Sequence, residues 1–237
     1  MQAFDVIVVG LGHAGCEAAL ACARLGLSTL GVTMRADRIA VMSCNPAIGG
    51  TAKGHLVREL DALGGEMARA ADQAGTHFVT LNASKGAAVR ATRVLCDRDA
   101  YAQVMQTTVR AQRGLSIVEG EAARLEVDGA RVVGVTLQDG RRFGARAVVV
   151  TTGTFLQALM HVGDAKSVGG RLGDAAATGL SSSLRELGFT LGRFKTGTPA
   201  RLVRDSIDWD RCERQPGETA PKPFSLRTPR GKMYGRC

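Results

Sequence analysis

The stretch Phe4-Asp-Val-Ile-Val-Val-Gly10-Leu-Gly-His-Ala-Gly15-Cys-Glu-Ala-Ala-Leu20 decides the fold. Its first residues are apolar with little alternation, which reads as a strand covered on both faces, as in a parallel sheet. A Gly-rich turn then leads into an alanine-rich helix to residue 25. Gly26 ends that helix, and residues 28–34 form a second apolar strand. Together they make one βαβ unit of about thirty residues. A G-x-G-x-x-G pattern alone is weak, but here it follows a buried strand and opens a helix. Gly10 makes the tight turn, Gly12 lets a pyrophosphate approach the backbone, and Gly15 lets helix pack on strand. The helix start then faces negative charge. A tight turn with no ligand is the plainer alternative.

Further along, residues 115–119 read as a short strand. Segments 122–127, 131–137 and 142–143 follow, separated by the hairpin pairs Asp128-Gly129 and Asp139-Gly140. Residues 147–152 form another apolar strand, ending in Thr152-Gly153-Thr154. The fold class is therefore α/β, a Rossmann-like domain with a three-stranded β-meander. One expected feature is missing. The acid that binds a ribose lies about twenty residues beyond the Gly-rich turn, where this chain has Thr33-Met34-Arg35, and Asp37 comes late. That argues against a simple NAD dehydrogenase. A meander before a second Gly turn resembles flavoproteins with two dinucleotide domains, which implies FAD and places Gly153 close to the nucleotide.

Between these parts, residues 36–54 and 76–90 read as irregular. Leu56, Leu60, Leu63 and Met67 stand at helical spacing within a helix over 55–70, and a further helix covers 98–113. Residues 180–187 read as helix and 188–194 as strand. Beyond residue 206 the chain is polar and proline-rich, with no core-forming period.

The 237 residues suffice for one large domain or one and a half. No apolar run reaches the ~18 residues of a membrane span, and residues 4–10 read as a strand rather than a signal peptide, so a cytoplasmic location is expected. Six cysteines (Cys16, Cys22, Cys44, Cys96, Cys212, Cys237) have no metal-ligand spacing and are expected to be reduced; no metal site is expected. Lys and Arg outnumber Asp and Glu 31 to 22, giving +9. That favours an anionic partner such as RNA, or marks a solvated basic surface. Aromatics at 4 % exclude a platform on which bases stack.

Four further stretches carry a resemblance. They are Ser43-Cys-Asn-Pro-Ala-Ile-Gly-Gly-Thr-Ala-Lys-Gly-His-Leu-Val-Arg-Glu-Leu-Asp-Ala-Leu-Gly-Gly65, Leu81-Asn-Ala-Ser-Lys-Gly86 with Val89-Arg-Ala-Thr-Arg93, Gly153-Thr-Phe-Leu156, and Gly192-Arg-Phe-Lys-Thr-Gly-Thr-Pro199. In this order they resemble the MnmG (GidA) family, over residues 4 to about 230. The resemblance implies formation of the 5-carboxymethylaminomethyl group on the wobble uridine of certain tRNAs. It also implies FAD, NAD(P)H as reductant, methylene-tetrahydrofolate as carbon donor, a homodimer, and the GTPase MnmE as partner.

Carried over by position, the FAD contacts are Gly10, Leu11, Gly12, His13, Ala14 and Gly15, with Ala122 meeting the adenine end through its backbone. Ala177 matches another contact, where the family often has Pro-Pro-Ser and this chain has Ala175-Ala-Ala177, so a side-chain hydroxyl is lost. Cys44 is the candidate catalytic residue. A thiolate can add to C6 of uracil and make C5 nucleophilic towards a one-carbon donor; otherwise Cys44 is a small residue in a tight loop. Lys53, His55 and Lys85 are substrate or folate contacts, or shape loops. Arg90, Arg93 and Arg98 meet tRNA phosphate, or form a wet helix face.

The family's chains are much longer, and their FAD domain is completed by a strand and helix returning from near the far end. Residues 1–200 thus read as the N-terminal part of the FAD-binding domain, incomplete at its C-terminal side. Residues 201–237 read as the start of an insertion or a truncated, mobile tail, whose closing Gly231-Lys-Met-Tyr-Gly-Arg-Cys237 departs from the family's continuation. Two alternatives stand beside this reading: a folate-dependent tRNA methyltransferase flavoprotein, and a dinucleotide-binding module without turnover.

Overall fold

A computed structural model describes residues 2–229 and Met233; apart from Met233, the closing stretch quoted above lies outside them. In chain order the elements are β1 (Gln2–Val9), α1 (His13–Arg24), β2 (Thr29–Thr33), β3 (Ala47–Gly49), α2 (Lys53–Ala62), α3 (Met67–Ala74), β4 (Gly75–Leu81), β5 (Ala91–Cys96), α4 (Arg98–Ala111), β6 (Leu115–Glu119), β7 (Ala122–Asp128), β8 (Arg131–Leu137), β9 (Arg142–Val150), β10 (Leu159–Val162), β11 (Ala165–Val168) and α5 (Gly179–Glu186). They fall into two compact units. One comprises the described residues of Met1–Val41 and Met105–Arg193, the other Met42–Val104 with the described residues from Phe194 on. Residues 1–200, read from the sequence as one domain, contribute to both.

The first unit is built on a six-stranded sheet in the order β6-β2-β1-β9-β8-β7. Strands β6, β2, β1 and β9 run parallel, while β8 and β7 return antiparallel. This is the expected Rossmann-like α/β sheet with its meander. β1 lies between β2 and β9, with Val9 opposite both Val32 and Val150, which is why its apolar run has no polar face. Phe4, Ile7 and Val9 join Leu30, Val32, Val135, Leu137, Phe143 and Leu180 in one core. Helix α1 ends where Gly26 takes φ +85°, and Leu27 N–H closes back on the Cys22 carbonyl, a left-handed cap that suits glycine. The expected separate strands 142–143 and 147–152 are one continuous β9, because its start pairs antiparallel with β8 while its whole length pairs parallel with β1. The expected strand over 188–194 is absent. That segment has no sheet partner, and Phe189 is exposed.

The second unit carries a three-stranded antiparallel sheet, β3-β5-β4. β3 and nearly all of β4 lie in stretches read from the sequence as irregular, and β5 falls between them and the helix expected over 98–113; the strands are short and interrupt their apolar residues with Gly, Thr, His or Arg. The helix expected over 55–70 is two helices, broken where Gly64 takes φ +94°. Its apolar face was also misplaced: Leu56 and Leu63 are 64 % and 87 % exposed, whereas Val57 and Asp61 are 4 % and 2 % exposed. The period is helical, but a carboxylate occupies a core position, and hydrophobicity alone does not reveal that.

The polar tail explains the buried carboxylates. Phe224 is fully buried. Asp72 accepts the N–H groups of Phe224 and Ser225 at 2.6 and 2.9 Å. Asp61 accepts the Ser225 hydroxyl at 2.6 Å and Leu226 N–H at 2.8 Å, and pairs with Arg227 at 3.0 Å. Arg58 lies 5.5 Å over the Phe224 ring. A segment without a core-forming period thus places one aromatic in the core and two carboxylates satisfy its backbone, as burial requires.

The reassigned face of α2 is testable. Val57→Ala is expected to lower unfolding stability by about 1–2 kcal/mol through a lost core contact. Leu56→Ala is expected to change it by less than about 0.5 kcal/mol, as for other exposed sites. Urea unfolding measures both, and equal losses would return Leu56 to the core.

Candidate functional site

Two places concentrate the predicted residues, one in each unit. In the first, β1 runs into Gly10, which takes φ +92°. A Cβ on Gly10 would stand 2.5 Å from the Thr151 carbonyl oxygen, and one on Gly15 only 1.7 Å from the Gly10 oxygen. Both glycines are therefore demanded by the protein itself. Gly12 differs: a Cβ there meets nothing within 4 Å. Its extended backbone (φ −75°, ψ −161°) opens α1, and the first-turn amides of a helix have no carbonyl four residues back to bond. Glycine at this position leaves room for a ligand rather than for a neighbouring chain segment.

The location fits that ligand. β2 leaves β1 on one side and β9 joins it on the other, so the carboxyl ends of β1 and β9 flank a reversal of strand order. Dinucleotides bind in the crevice at such a point. Thr151, which the sequence reading passed over, ties the two ends together, its hydroxyl donating to the carbonyls of Val9 and Gly10 at 2.9 and 2.8 Å. Gly153 follows with φ +58° and no protein atom near its Cβ direction. Gly10, Leu11, Gly12, His13, Ala14, Gly15 and Gly153 thus belong to one neighbourhood.

Ala122 and Ala177 are joined by another overlooked residue. Glu121 accepts the Thr178 N–H at 2.7 Å, beside the start of α5. Ala122 is buried at the head of β7. Ala177 donates its N–H to the Phe155 carbonyl and accepts from Gln157 N–H, both bonds belonging to a bridge with 155–157. What Ala177 can still offer a ligand is chiefly its methyl. Past β2, Arg35 grips Asp37 through two bonds of 3.0 and 2.6 Å and reaches Asp174 at 3.2 Å. Hydrogen bonding from Arg35 holds the Asp37 carboxyl below its ordinary value, so the late acid is committed to arginine.

The second place is a cavity of about 320 Å³ lined by Cys44, Asn45, Ala47, Gly49, Gly50, Thr51, Lys53, Leu81 and Arg93. Gly49 and Gly50 take φ +84° and +101°. A Cβ on Gly49 would lie 2.2 Å from the Thr92 carbonyl and 3.0 Å from the Phe224 ring. The half-buried Cys44 Sγ lies 3.4 Å from Thr198 Oγ1 and donates to the Gly197 carbonyl at 3.5 Å, so the Lys195-Thr-Gly-Thr-Pro199 stretch supplies its neighbours. Burial pushes the thiols of Cys16 and Cys96 up to about 12, which marks them as inert packing residues. All five described cysteines are free. Of the other candidates, Arg98 donates to the Met42 carbonyl at 2.9 Å and Arg90 to the Lys85 carbonyl at 3.0 Å. His55 and Lys85 do not line the cavity, and the His55 Nε2 is buried without a partner. Among the described residues no His, Cys, Asp or Glu cluster could hold a metal, and no helix is long and apolar enough to cross a membrane.

The family model described as glucose inhibited division protein A matches residues 5–233. The chain belongs to this family. It is 72 % identical over 225 residues to the tRNA uridine 5-carboxymethylaminomethyl modification enzyme MnmG of Myxococcus xanthus, covering 95 % of this chain and 37 % of that protein. The MnmG of Syntrophotalea carbinolica is 56 % identical over 95 % of this chain and 36 % of its own length. The GidA structure from Aquifex aeolicus superposes with a TM-score of 0.93 at 47 % identity, covering 98 % of this chain and 40 % of that one. This GidA-family chain therefore spans little more than a third of the curated relatives it matches, and its Rossmann-like architecture is theirs.

The glycine geometry separates two roles by experiment. Gly12→Val is expected to keep the far-ultraviolet circular dichroism of the parent and to weaken FAD binding at least about tenfold, because its side chain fills ligand space only. Gly15→Val is expected to lose folded structure, since its Cβ collides with backbone. Flavin titration and dichroism of both variants decide, and unchanged FAD affinity in Gly12→Val would move the ligand elsewhere.

Proposed function

We propose that this chain supplies the dinucleotide-binding part of an FAD-dependent enzyme that builds the 5-carboxymethylaminomethyl group on the wobble uridine of tRNA. The observation that carries the reading is the strand-order reversal at Gly10 and Thr151, with Gly12 facing space no protein atom occupies. The substrate is the one that the MnmG relatives from Myxococcus xanthus and Syntrophotalea carbinolica modify by name, a tRNA uridine. The residues fit the cofactor: Gly10, Leu11, Gly12, His13, Ala14 and Gly15 would cradle the pyrophosphate, with Ala122, Gly153 and Ala177 along the nucleotide. Bound FAD would supply two-electron redox chemistry, for which NAD(P)H is the reductant.

Cys44 is the nucleophile in this reading. Its Sγ bonds to C6 of the uracil, the C5–C6 π electrons move onto the C4 carbonyl, and C5 attacks the one-carbon unit given by methylene-tetrahydrofolate. Loss of the C5 proton then expels Sγ and restores the ring, the usual logic of a covalent intermediate. An amine that carries the carboxymethyl group bonds to the methylene carbon as that carbon's bond to the folate nitrogen breaks, the amine giving up a proton and tetrahydrofolate leaving. The contact with Thr198 and Gly197 orients the sulfur. The complete protein works in this reading as a homodimer with the GTPase MnmE in the cytoplasm, and the net charge of +9 supports an RNA partner.

In a chain extended to the length of the matched relatives, Cys44→Ser is expected to retain its yellow colour while tRNA modification falls by at least about 100-fold. Nucleoside mass spectrometry of tRNA measures it. Undiminished modification would reduce Cys44 to packing. A yellow parent protein inert towards tRNA, folate and nicotinamide would favour a module without turnover.

A further inference from the structure

The cavity beside Cys44 has a charge imbalance that the preceding reading does not use. Two cationic side chains, Lys53 and Arg93, line it, and no Asp or Glu does. Elsewhere in the chain arginines meet carboxylates, as in Arg35 with Asp37, Arg142 with Glu126, Arg171 with Asp174 and Arg227 with Asp61. Among the described residues neither the Lys53 ammonium nor the Arg93 guanidinium makes a hydrogen bond or ion pair, and both residues bond only through their backbone. They come from different elements, Lys53 opening α2 and Arg93 in the middle of β5. The crossing of Gly49 over the Thr92 carbonyl brings these elements to one cavity. Asn45 and Thr51 add neutral polar groups to the same wall.

We propose that this cavity binds a small carboxylate, with Lys53 and Arg93 holding its oxygens. Two cations without counter-ions in a concave polar site call for an oxyanion, and a guanidinium matches a carboxylate with two parallel bonds. At about 320 Å³ the space lies at the lower end of small-molecule sites. The choice of carboxylate rests on the proposed function, because the group named for the relatives ends in a carboxymethyl unit joined through nitrogen. The amine that contributes that unit must carry a carboxylate. A cavity that fixes its charged end beside Cys44 would select it over uncharged amines. The site itself, by contrast, rests only on geometry.

The test uses the intact chain and the rates at which iodoacetate, a carboxylate, and neutral iodoacetamide alkylate Cys44. Peptide mass spectrometry reads Cys44 separately from Cys212, an exposed thiol elsewhere. Both reagents form the same sulfur–carbon bond with loss of iodide, so their ratio cancels the thiol's own reactivity and reports attraction of the carboxylate. The ratio is expected to be about tenfold higher at Cys44 than at Cys212. Lys53→Gln and Arg93→Gln are each expected to lower it three- to fivefold, the range of partly exposed charge pairs, while Arg93→Lys retains most of it. The advantage is expected to fade with added salt. Glycine or acetate should slow iodoacetate at Cys44 more than inorganic phosphate does at equal ionic strength.

Equal ratios at the two thiols, or a ratio that neither Gln variant moves, would overturn the proposal. Stronger protection by phosphate would overturn the carboxylate assignment and point to an RNA backbone instead. Lys53 is exposed at the start of its helix, so its variant keeps the test open even if Arg93→Gln does not fold. None of these outcomes depends on turnover, so they are separable from failure of the tRNA reading.

Discussion

The close crossing of backbone at Gly10 is the constraint on which the first unit depends. The turn passes so near β9 that a Cβ on Gly10 would press on the Thr151 carbonyl, and α1 starts so tightly that one on Gly15 would overlap the Gly10 oxygen. With those two atoms absent, Thr151 can hydrogen-bond across to Val9 and Gly10. β1 can then hold β2 on one edge and β9 on the other. The helix start and the parallel strand ends meet at one crevice as a consequence, and Gly12 is spared any structural duty there. The crevice is in this sense a by-product of packing with one position, Gly12, left free.

The second unit reaches a comparable end through electrostatics. Burial raises the Asp72 carboxyl above its ordinary value, and the bonds from the tail only partly offset it. At Asp61 burial works in the same direction, but the Ser225 hydroxyl, Leu226 N–H and Arg227 outweigh it and hold the carboxyl low. The two therefore respond oppositely to pH. Asp61 contributes stability that is present above the ordinary carboxylate value and lost as pH falls through its lowered one. Asp72 carries no ionisation cost in acid and acquires one as pH rises from the ordinary value through its raised one. Between them they clasp residues 224–227, and the Phe224 ring backs Gly49 in the wall of the Cys44 cavity. The polar tail is thus part of the cavity's scaffold.

The thiols illustrate how environment sorts chemically equal groups. Cys16 and Cys96 sit in apolar surroundings where a negative charge is disfavoured. Cys44 instead faces a polar cavity and two cations, with a hydroxyl and a carbonyl at hydrogen-bonding distance. The net charge of +9 gave no hint of where uncompensated charge would lie. The fold decides that, by pairing arginines such as Arg35, Arg142, Arg171 and Arg227 with carboxylates and leaving Lys53 and Arg93 together on a cavity wall that has none.

Local patterns were enough for much of this protein. An unalternating apolar run, a glycine series between strand and helix, and two Asp-Gly turns determined the parallel sheet, the Gly-rich turn and the meander, because each depends on neighbours in the chain. Cys44 enters as a candidate from its place in a family signature, and the fold sets it in the wall of a cavity. Tertiary structure alone decided the rest. The register of α2 turned on Asp61 being satisfied by residues more than 160 positions away. The sheet β3-β5-β4 formed from short segments where no strand was expected from the sequence, and Thr151, Glu121 and Thr198 acquired their roles from partners distant in sequence. A side chain's periodicity is written in its own segment, but whether a buried charge is tolerated, or a surface charge left unpaired, depends on which groups the fold brings within reach.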